Sequence, residues 1–226
     1  MCNQTEKSAK QLRLMAITDG SLAVAGCELL DRLGRALQGG ATAVMLREKT
    51  ADSRTLYDAA CRLREMTSRH GALLIVNDRL DIALAAKADG IHLGWRSLPV
   101  KIVRKIAGSR LLIGASTHSI EEIENAAGAD YVTFSPIFPT PSKEGRVDVV
   151  GLDVLREACE RFADLPLVAL GGIDATNTAA CMQNGAAGVA AIRAVLGADD
   201  PEQAAATLLQ KTKCRAGGHK PTQTQT

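Results

Sequence analysis

Short apolar runs alternate with longer stretches of helical apolar periodicity along most of the chain. The first run, Leu12 to Thr18, precedes a helical pattern from Leu22 to Leu37 that ends at Gly39-Gly40, which predicts one strand followed by one helix. The same order then recurs along the chain. Seven further strands are predicted, at Ala43–Arg47, Ala72–Val76, Gly90–Leu93, Leu111–Ala115, Tyr131–Phe134, Leu167–Leu170 and Gly188–Ile192.

The number and order of these segments predict an α/β fold, a (β/α)8 TIM barrel. The third to sixth predicted strands are closely spaced, so the helices between them must be short. The clearest helix start is the capping box Ser119-Ile-Glu-Glu122. An open doubly wound sheet is the main alternative, but it would carry a G-x-G-x-x-G turn where this chain has Asp19-Gly-Ser-Leu-Ala.

One barrel domain is predicted over residues 11–214. Residues 1–10 and 215–226 carry little apolar content, so both are predicted to be disordered tails. Hydrophobic residues at 46% and charged residues at 23% are typical of a globular chain with an ample core.

The composition excludes several classes of partner. Aromatic residues at 3% and a net charge of +2 argue against nucleic-acid binding. No apolar run reaches the roughly 18 residues that a membrane-spanning helix needs. Six cysteines without a C-x-x-C pair predict free thiols in a cytoplasmic protein. The oligomeric state is left open, and a homo-oligomer is compatible with the sequence.

The segment Thr133 to Gly145 reads as a strand that leads into a binding loop. Pro136 and two later prolines stiffen this loop, which lowers the entropy lost when it closes on a ligand. Thr140, Ser142 and Lys143 then offer two hydroxyls and an ammonium group, a chemistry suited to phosphate oxygens. An ordinary surface loop is the alternative interpretation.

A TIM barrel predicts an active site at the carboxyl ends of its strands. Polar residues end or follow the predicted strands there, at Arg47, Lys49, Asn77, Asp78, His92, Ser116, His118 and Arg193. Gly171 and Gly172 follow the seventh strand, where backbone N–H groups often bind phosphate. A tight structural turn is the alternative role for this glycine pair.

Three cations, Arg47, Lys49 and Lys143, are predicted around one barrel mouth and would suit a pyrophosphate group. Asp78 offers a hard oxygen ligand for Mg²⁺. The alternative is that Arg47 and Asp78 form a buried ion pair at the rim of the barrel.

These residues resemble the thiamine-phosphate synthase and TenI-type superfamily, from about Leu12 to Leu196. Eight segments carry the resemblance in order: Leu46-Arg-Glu-Lys49, Asn77-Asp-Arg-Leu-Asp-Ile-Ala-Leu84, Ala88-Asp-Gly-Ile-His-Leu-Gly94, Gly114-Ala-Ser-Thr-His118, Ala129-Asp-Tyr131, Pro136-Ile-Phe-Pro-Thr-Pro-Ser-Lys143, Gly171-Gly-Ile173 and Gly185-Ala-Ala-Gly-Val-Ala190.

The resemblance implies an enzyme that joins hydroxymethylpyrimidine diphosphate to hydroxyethylthiazole phosphate and releases pyrophosphate. It implies that the diphosphate is held by Arg47, Lys49, Asn77, Ser116 and Lys143. It also implies Asp78 as a ligand of Mg²⁺. The thiazole phosphate would contact Thr140, Ser142 and the backbone of Gly171 and Gly172.

Three positions depart from the pattern of the synthases. Met45 stands where they have glutamine, Ser97 where they have a second Mg²⁺ carboxylate, and Arg193 where they have serine. Arg193 could offset part of the missing metal charge or serve the thiazole phosphate. The Mg²⁺ site that the resemblance implies is therefore incomplete.

Two other functions stay open at this point. A TenI-like protein, either a thiazole phosphate tautomerase or a non-catalytic binder, also lacks the second carboxylate, but its catalytic histidine position is Pro136 here. A sugar-phosphate isomerase, epimerase or aldolase could share the barrel, although no predicted strand contains the lysine that Schiff-base chemistry needs. Lys49 and Asp78 favour the synthase.

The remaining candidates are interpreted as structural or surface residues. His118 precedes a capping box, which is typical of a surface position, although it is the best remaining acid or base. His92 is expected to be structural. Trp95, the single tryptophan, is expected to serve ordinary packing, with a contact to a heteroaromatic ligand as the alternative.

Overall fold

The computed structural model of the protein describes residues 11–18, 20, 22–140 and 148–214, without the side chains of residues 22–26. Eight parallel strands pair in chain order, and the last pairs with the first to close a barrel. The strands are β1 (Leu14–Ile17), β2 (Ala43–Leu46), β3 (Leu73–Asn77), β4 (Gly90–Leu93), β5 (Leu112–Thr117), β6 (Tyr131–Phe134), β7 (Leu167–Leu170) and β8 (Gly188–Ala191). The predicted TIM barrel is confirmed, while both predicted tails lie outside the described residues.

Helices follow the strands along the chain. Those within the described residues are α1 (Leu22–Gln38), α2 (Ser53–His70), α3 (Leu80–Ala85), α4 (Val100–Ala107), α5 (Ile120–Asn125), α6 (Gly151–Arg161), α7 (Thr178–Gln183), α8 (Arg193–Leu196) and α9 (Pro201–Lys211). The helices α3, α4 and α5 have six, eight and six residues, as the close strand spacing predicts. The capping prediction for α5 is also confirmed, because Ser119 Oγ accepts a hydrogen bond from the Glu122 N–H at 3.1 Å. Across the described part of the chain, no helix is both long enough and apolar enough to cross a bilayer.

Two strands extend further than their apolar patterns predict. β3 includes Asn77, which lies opposite His92 in β4, and β5 includes Ser116, which lies opposite Thr133 in β6. Main-chain hydrogen bonds hold a strand, so its ladder continues through polar residues that end an apolar run. The prediction that Asn77 and Ser116 follow their strands is therefore wrong, since both belong to the barrel wall.

Alternate strand positions fill the barrel interior, and the other positions pack beneath the helices. The buried apolar residues of the interior are Leu12, Met15, Ile17, Ala43, Met45, Leu73, Ile75, Tyr131, Val168 and Ala190. Tyr131 fits because Gly114 stands beside it in β5. A Cβ atom at Gly114 would lie only 2.1 Å from the Cζ atom of the Tyr131 ring.

Candidate functional site

Arg47 and Lys49 follow β2 at the carboxyl end of the barrel. Arg47 is half-buried. Its backbone N–H donates a hydrogen bond to Thr18 Oγ1 at 2.8 Å, which connects the start of this loop to the residue after β1. Lys49 is exposed. The nearby Glu48 is buried, and its Oε1 accepts a hydrogen bond from the Gly20 N–H at 3.3 Å. The first two loops are thereby linked at the mouth.

Asn77 and Asp78 form the turn at the end of β3. Asp78 has a left-handed φ of 66°, and its N–H donates to the carbonyl oxygen of His92 at 2.9 Å. This backbone geometry is uncommon for a residue other than glycine, although aspartate and asparagine tolerate it better than most. Asn77 is half-buried and Asp78 is exposed, so both can meet a ligand at the mouth.

The alternative of a buried ion pair between Arg47 and Asp78 is wrong. Neither side chain forms an ion pair with any other residue in the described ranges. The positive charge of Arg47 acts instead on His92. Burial is the main cause of the lowered pKa of His92, and the Arg47 charge lowers it further. Arg47 therefore lies close enough to His92 for its charge to act on the imidazole.

Ser97 closes the turn after β4. Its Oγ accepts a hydrogen bond from the Gly94 N–H at 2.7 Å, and its own N–H donates to the Gly94 carbonyl oxygen at 3.0 Å. Among the described residues, no group of three or more His, Cys, Asp or Glu side chains could hold a metal ion. Asp78 offers a single carboxylate, which fits a metal ion such as Mg²⁺ that takes further ligands from substrate and water.

Trp95 lies in the same turn and is 80% exposed. The Arg96 guanidinium carbon lies 4.3 Å from the centroid of its ring. The expectation that Trp95 serves ordinary packing is therefore wrong. A tight turn between a strand and a helix leaves no neighbouring element to cover so large a ring. His118, by contrast, is half-buried, and its Nδ1 lies 2.9 Å from Glu122 Oε2 at the start of α5.

A polar cluster lies inside the barrel, between the apolar interior and the mouth. His92 Nδ1 lies 3.1 Å from the Tyr131 hydroxyl, while its Nε2 lies 2.9 Å from Ser116 Oγ and 3.3 Å from Thr133 Oγ1. His92, Tyr131 and Thr133 are buried, and Ser116 is half-buried. Burial, aided by the Arg47 charge, lowers the pKa of His92 to about 3, so the imidazole is neutral.

Tyr131 and Thr133 were not among the site residues that the sequence predicts. Their signal is the period-two alternation of strands, which places Tyr131 and Thr133 on the same face of β6. Ser116 lies opposite Thr133 and His92 lies opposite Gly114, so the strand register brings the polar inward positions together. The expectation that His92 is structural agrees with its burial but misses its contact with Ser116.

Gly171 and Gly172 pack against the loop that follows β6. Their φ angles are 96° and 65°, and a Cβ atom at either would lie within 2.7 Å of Pro136, Phe138 or Pro139. The Phe138 N–H also donates to the Gly171 carbonyl oxygen at 3.0 Å. This packing accounts for both glycines as a tight structural junction. Their role in phosphate binding stays a prediction.

The same turn leaves hydrogen-bond donors available. Within the described ranges, the N–H groups of Gly172 and Ile173 donate to no acceptor. The Gly172 carbonyl oxygen accepts from Asn177 Nδ2 at 2.8 Å, which holds the turn in place. Adjacent N–H groups in a turn with positive φ can bind an anion.

Arg193 and Thr140 bring the loops after β8 and β6 together. Arg193 begins α8, and its Nη2 lies 3.5 Å from Thr140 Oγ1. Arg193 is exposed and Thr140 is half-buried. Ser142 and Lys143, which were also predicted for this side of the mouth, lie outside the described residues.

Known sequences match most of the chain. A family described as thiamine monophosphate synthase matches residues 14–195. A thiamine-phosphate synthase from Gloeobacter violaceus is 46% identical over 81% of this chain and 54% of its own length. A bifunctional ThiM/ThiE protein from Symbiobacterium thermophilum is 46% identical over 86% of this chain and 41% of its own length. The chain thus spans about half the length of these two relatives. It covers 92% of a putative thiamine-phosphate synthase from Geobacter sulfurreducens, at 44% identity over 87% of this chain.

Two solved structures resemble the chain, one in sequence and fold and the other in fold alone. A thiamine phosphate pyrophosphorylase from Pyrococcus furiosus has a TM-score of 0.83 and 37% identity, with 91% of this chain and 98% of the other covered. A 4-hydroxy-2-oxoglutarate aldolase from TTHB1, with a TM-score of 0.67 and 20% identity over 92% of this chain and 98% of the other, shares the fold alone. The chain therefore belongs to the thiamine monophosphate synthase family.

Proposed function

We propose that this protein is a thiamine-phosphate synthase, which joins hydroxymethylpyrimidine diphosphate to hydroxyethylthiazole phosphate and releases pyrophosphate. The observation that carries the proposal is the mouth of the barrel. Arg47 and Asp78 lie there without an ion pair to other described residues, and the N–H groups of Gly172 and Ile173 are available nearby. Similarity to proteins named thiamine-phosphate synthase or thiamine phosphate pyrophosphorylase supports it.

The proposed reaction needs two anion-binding sites, and the residues at the barrel mouth form two groups that could supply them. We call the first the diphosphate side; its residues are Arg47, Lys49, Asn77, Asp78, Ser97 and Ser116. We call the second the thiazole-phosphate side; its residues are Thr140, Gly171, Gly172, Ile173 and Arg193. Ser142 and Lys143 belong to the proposal through the family resemblance alone.

On the diphosphate side, the chain's own groups stabilise the departing pyrophosphate. The carbon–oxygen bond between the pyrimidine methylene and the diphosphate breaks, and both electrons leave with the diphosphate. Arg47, Lys49 and Lys143 would offset the developing charge, while Asn77 and Ser116 would donate hydrogen bonds to its oxygens. Mg²⁺, when bound, would neutralise charge on the diphosphate, with Asp78 as its protein carboxylate.

On the thiazole-phosphate side, the second substrate is held so that its ring nitrogen meets the pyrimidine carbocation and forms the new carbon–nitrogen bond. The N–H groups of Gly172 and Ile173, the Thr140 and Ser142 hydroxyls and the Arg193 guanidinium would hold its phosphate. Holding both reactants in one mouth converts capture of the cation into an intramolecular step. A closed, oriented complex also limits capture by water.

The TenI-like alternative is not favoured. Pro136, at the position of the tautomerase histidine, is buried and packs against Gly171, so it offers no proton-transfer group. Met45 fills the apolar interior where synthases have glutamine, which removes one polar group but leaves the rest of the diphosphate side in place. We also expect the protein to act in the cytoplasm on small phosphorylated substrates. The cysteines Cys27, Cys61, Cys159, Cys181 and Cys214 are free thiols.

Pyrophosphate release tests the proposal directly. Release should require both substrates and should rise when Mg²⁺ is added. An Arg47→Ala variant should lose most of this turnover, whereas Arg62→Ala on α2 serves as a matched control and should keep it. If the protein binds both substrates and releases no pyrophosphate under any of these conditions, the synthase assignment fails and a binding role replaces it.

A further inference from the structure

The polar cluster around His92 contains a chain of hydroxyl and imidazole groups that ends at the proposed diphosphate side. Tyr131, at one end, is buried in the barrel interior, and Ser116, at the other, is half-buried at the mouth. His92 lies between them and contacts each through a different ring nitrogen. The direction of the hydrogen bonds along this chain decides whether Ser116 donates or accepts toward a ligand.

The Tyr131 hydroxyl determines which group donates in its hydrogen bond with His92 Nδ1. Within the described residues, its hydrogen-bond partner is His92 Nδ1 at 3.1 Å. Burial raises the pKa of Tyr131, so the phenol keeps its proton and needs an acceptor for it. If Nδ1 carried the ring proton, the buried phenol hydrogen would have no acceptor, which is unfavourable. Nδ1 therefore accepts from Tyr131.

A neutral imidazole that accepts at Nδ1 carries its proton on Nε2. Nε2 then donates to Ser116 Oγ at 2.9 Å, the nearer of its two hydroxyl neighbours, with Thr133 Oγ1 at 3.3 Å as the weaker acceptor. The opposite tautomer leaves the Tyr131 hydrogen without an acceptor. It would also offer one lone pair at Nε2 to two hydroxyl hydrogens. The first tautomer thus satisfies the buried groups better.

Because Ser116 Oγ accepts from His92, the Ser116 hydrogen is free to point elsewhere. We propose that Tyr131 and His92 are positioning residues that orient Ser116 as a hydrogen-bond donor to the oxygens of the departing diphosphate. This inference rests on the proposed function and deepens it. A hydroxyl that is already polarised by a donor on its oxygen makes a stronger hydrogen bond to an anion. The benefit grows as negative charge develops on the leaving group.

The imidazole tautomer tests the chain of hydrogen bonds without reference to activity. In protein labelled with ¹⁵N-histidine, His92 should show a protonated Nε2 and an unprotonated Nδ1. Its signals are assigned by their loss in His92→Gln. In Tyr131→Phe the signals should move toward the other tautomer, because Nδ1 loses its donor. A protonated Nδ1 in the unsubstituted protein would overturn the proposal.

Kinetics test whether Tyr131 and His92 orient the Ser116 hydroxyl during turnover. Tyr131→Phe keeps the ring and should lower kcat about tenfold, with little change in KM for either substrate, which corresponds to about 1.4 kcal/mol. In a Ser116→Ala background, Tyr131→Phe should lower kcat by less than about twofold, because the hydroxyl that Tyr131 helps to orient is absent. Tyr57→Phe is the matched control, since Tyr57 is the other tyrosine, lies partly exposed on α2, and should leave turnover unchanged.

An equal loss from Tyr131→Phe in both backgrounds would show a purely structural role and overturn the proposal. Thermal unfolding of each variant checks that the barrel is intact. If the unsubstituted protein gave no turnover at all, the proposed function would fail by itself. The tautomer of His92 would then still decide for or against the oriented hydrogen bonds.

Discussion

The two sides of the barrel mouth are built from different parts of the chain. On the thiazole-phosphate side, the turn at Gly171 and Gly172 is held by backbone packing against Pro136 to Pro139 and by the hydrogen bond from Asn177. On the diphosphate side, Arg47 and Asp78 are charged groups without an ion pair to other described residues.

This difference has a consequence for binding. A site that includes backbone N–H groups in a packed turn is partly preorganised before the ligand binds. A site made of separate charged side chains depends on each residue, and here Ser97 replaces a carboxylate of the family pattern. We therefore expect the thiazole phosphate to bind free protein, and Mg²⁺ to bind only when the diphosphate supplies further oxygen ligands.

The largest effect is expected at Lys143, which would connect the two sides. The loop after β6 belongs to the thiazole-phosphate side, yet its lysine is proposed to act on the diphosphate. Lys143→Ala should lower turnover by about 10²- to 10³-fold, the usual cost of removing one preorganised donor, and should barely weaken thiazole phosphate binding. Steady-state kinetics and calorimetry measure the two quantities. Lys101→Ala, on an exposed position of α4, is the control. Normal turnover of Lys143→Ala would show that Lys143 does not act on the diphosphate.

Gly172→Ala should weaken binding of thiazole phosphate and leave binding of the diphosphate unchanged. Its Cβ would lie 2.7 Å from Phe138 Cβ and 2.7 Å from the Pro139 carbonyl oxygen, at a φ of 65°. The turn must shift, and thiazole phosphate affinity should fall by about 10- to 100-fold. Gly71→Ala is a close control, because Gly71 also has a φ of 65° but its Cβ would meet no atom within 4 Å. Calorimetry should show diphosphate binding unchanged, and unchanged affinity for thiazole phosphate would place its phosphate elsewhere.

The buried His92, whose Nε2 contacts Ser116 of the diphosphate side, should make the stability of the folded protein depend on pH. The pKa of His92 is lowered from 6.5 to about 3 in the folded protein, so the unfolded chain binds more protons between these values. Stability is then fully present above about pH 6.5 and declines as the pH falls, by about 2 kcal/mol at pH 5.

Denaturant unfolding at pH 7 and pH 5 measures this loss. His92→Gln should show a smaller decline between the two pH values than the unsubstituted protein, whereas His70→Gln, at an exposed position, should not differ from it. An identical decline in His92→Gln would assign the pH dependence to other groups.

The smallest effect is expected from restoring a carboxylate at Ser97. An aspartate there could still accept from the Gly94 N–H with one oxygen and offer the other to the metal. Ser97→Asp should raise activity by a few-fold at low Mg²⁺ and have less effect at saturation. Ser97→Asn is the control, because its amide oxygen has the same reach without the charge. If Ser97→Asp were inert while both substrates bound, the synthase assignment would weaken.

The sequence predicted the barrel well, because alternation of apolar runs and amphipathic stretches is set by which residues are buried. It also placed Arg47, Asp78 and the glycine pair at the correct end of the barrel. It missed Tyr131 and Thr133, because alternation shows that they share one face of β6, whereas strand register decides that this face meets His92 and Ser116. It also misjudged Trp95, because exposure in a turn depends on which elements lie nearby. The extension of β5 through Ser116 likewise depends on pairing with β6.

Calorimetry of the unsubstituted protein tests the contrast between the two sides most directly. Thiazole phosphate is titrated into free protein without metal, and Mg²⁺ is titrated before and after a non-reacting diphosphate analogue is added. We predict that thiazole phosphate binds without metal, and that Mg²⁺ binds only after the diphosphate. Tight Mg²⁺ binding to the free protein, or thiazole phosphate binding that requires Mg²⁺, would contradict the account.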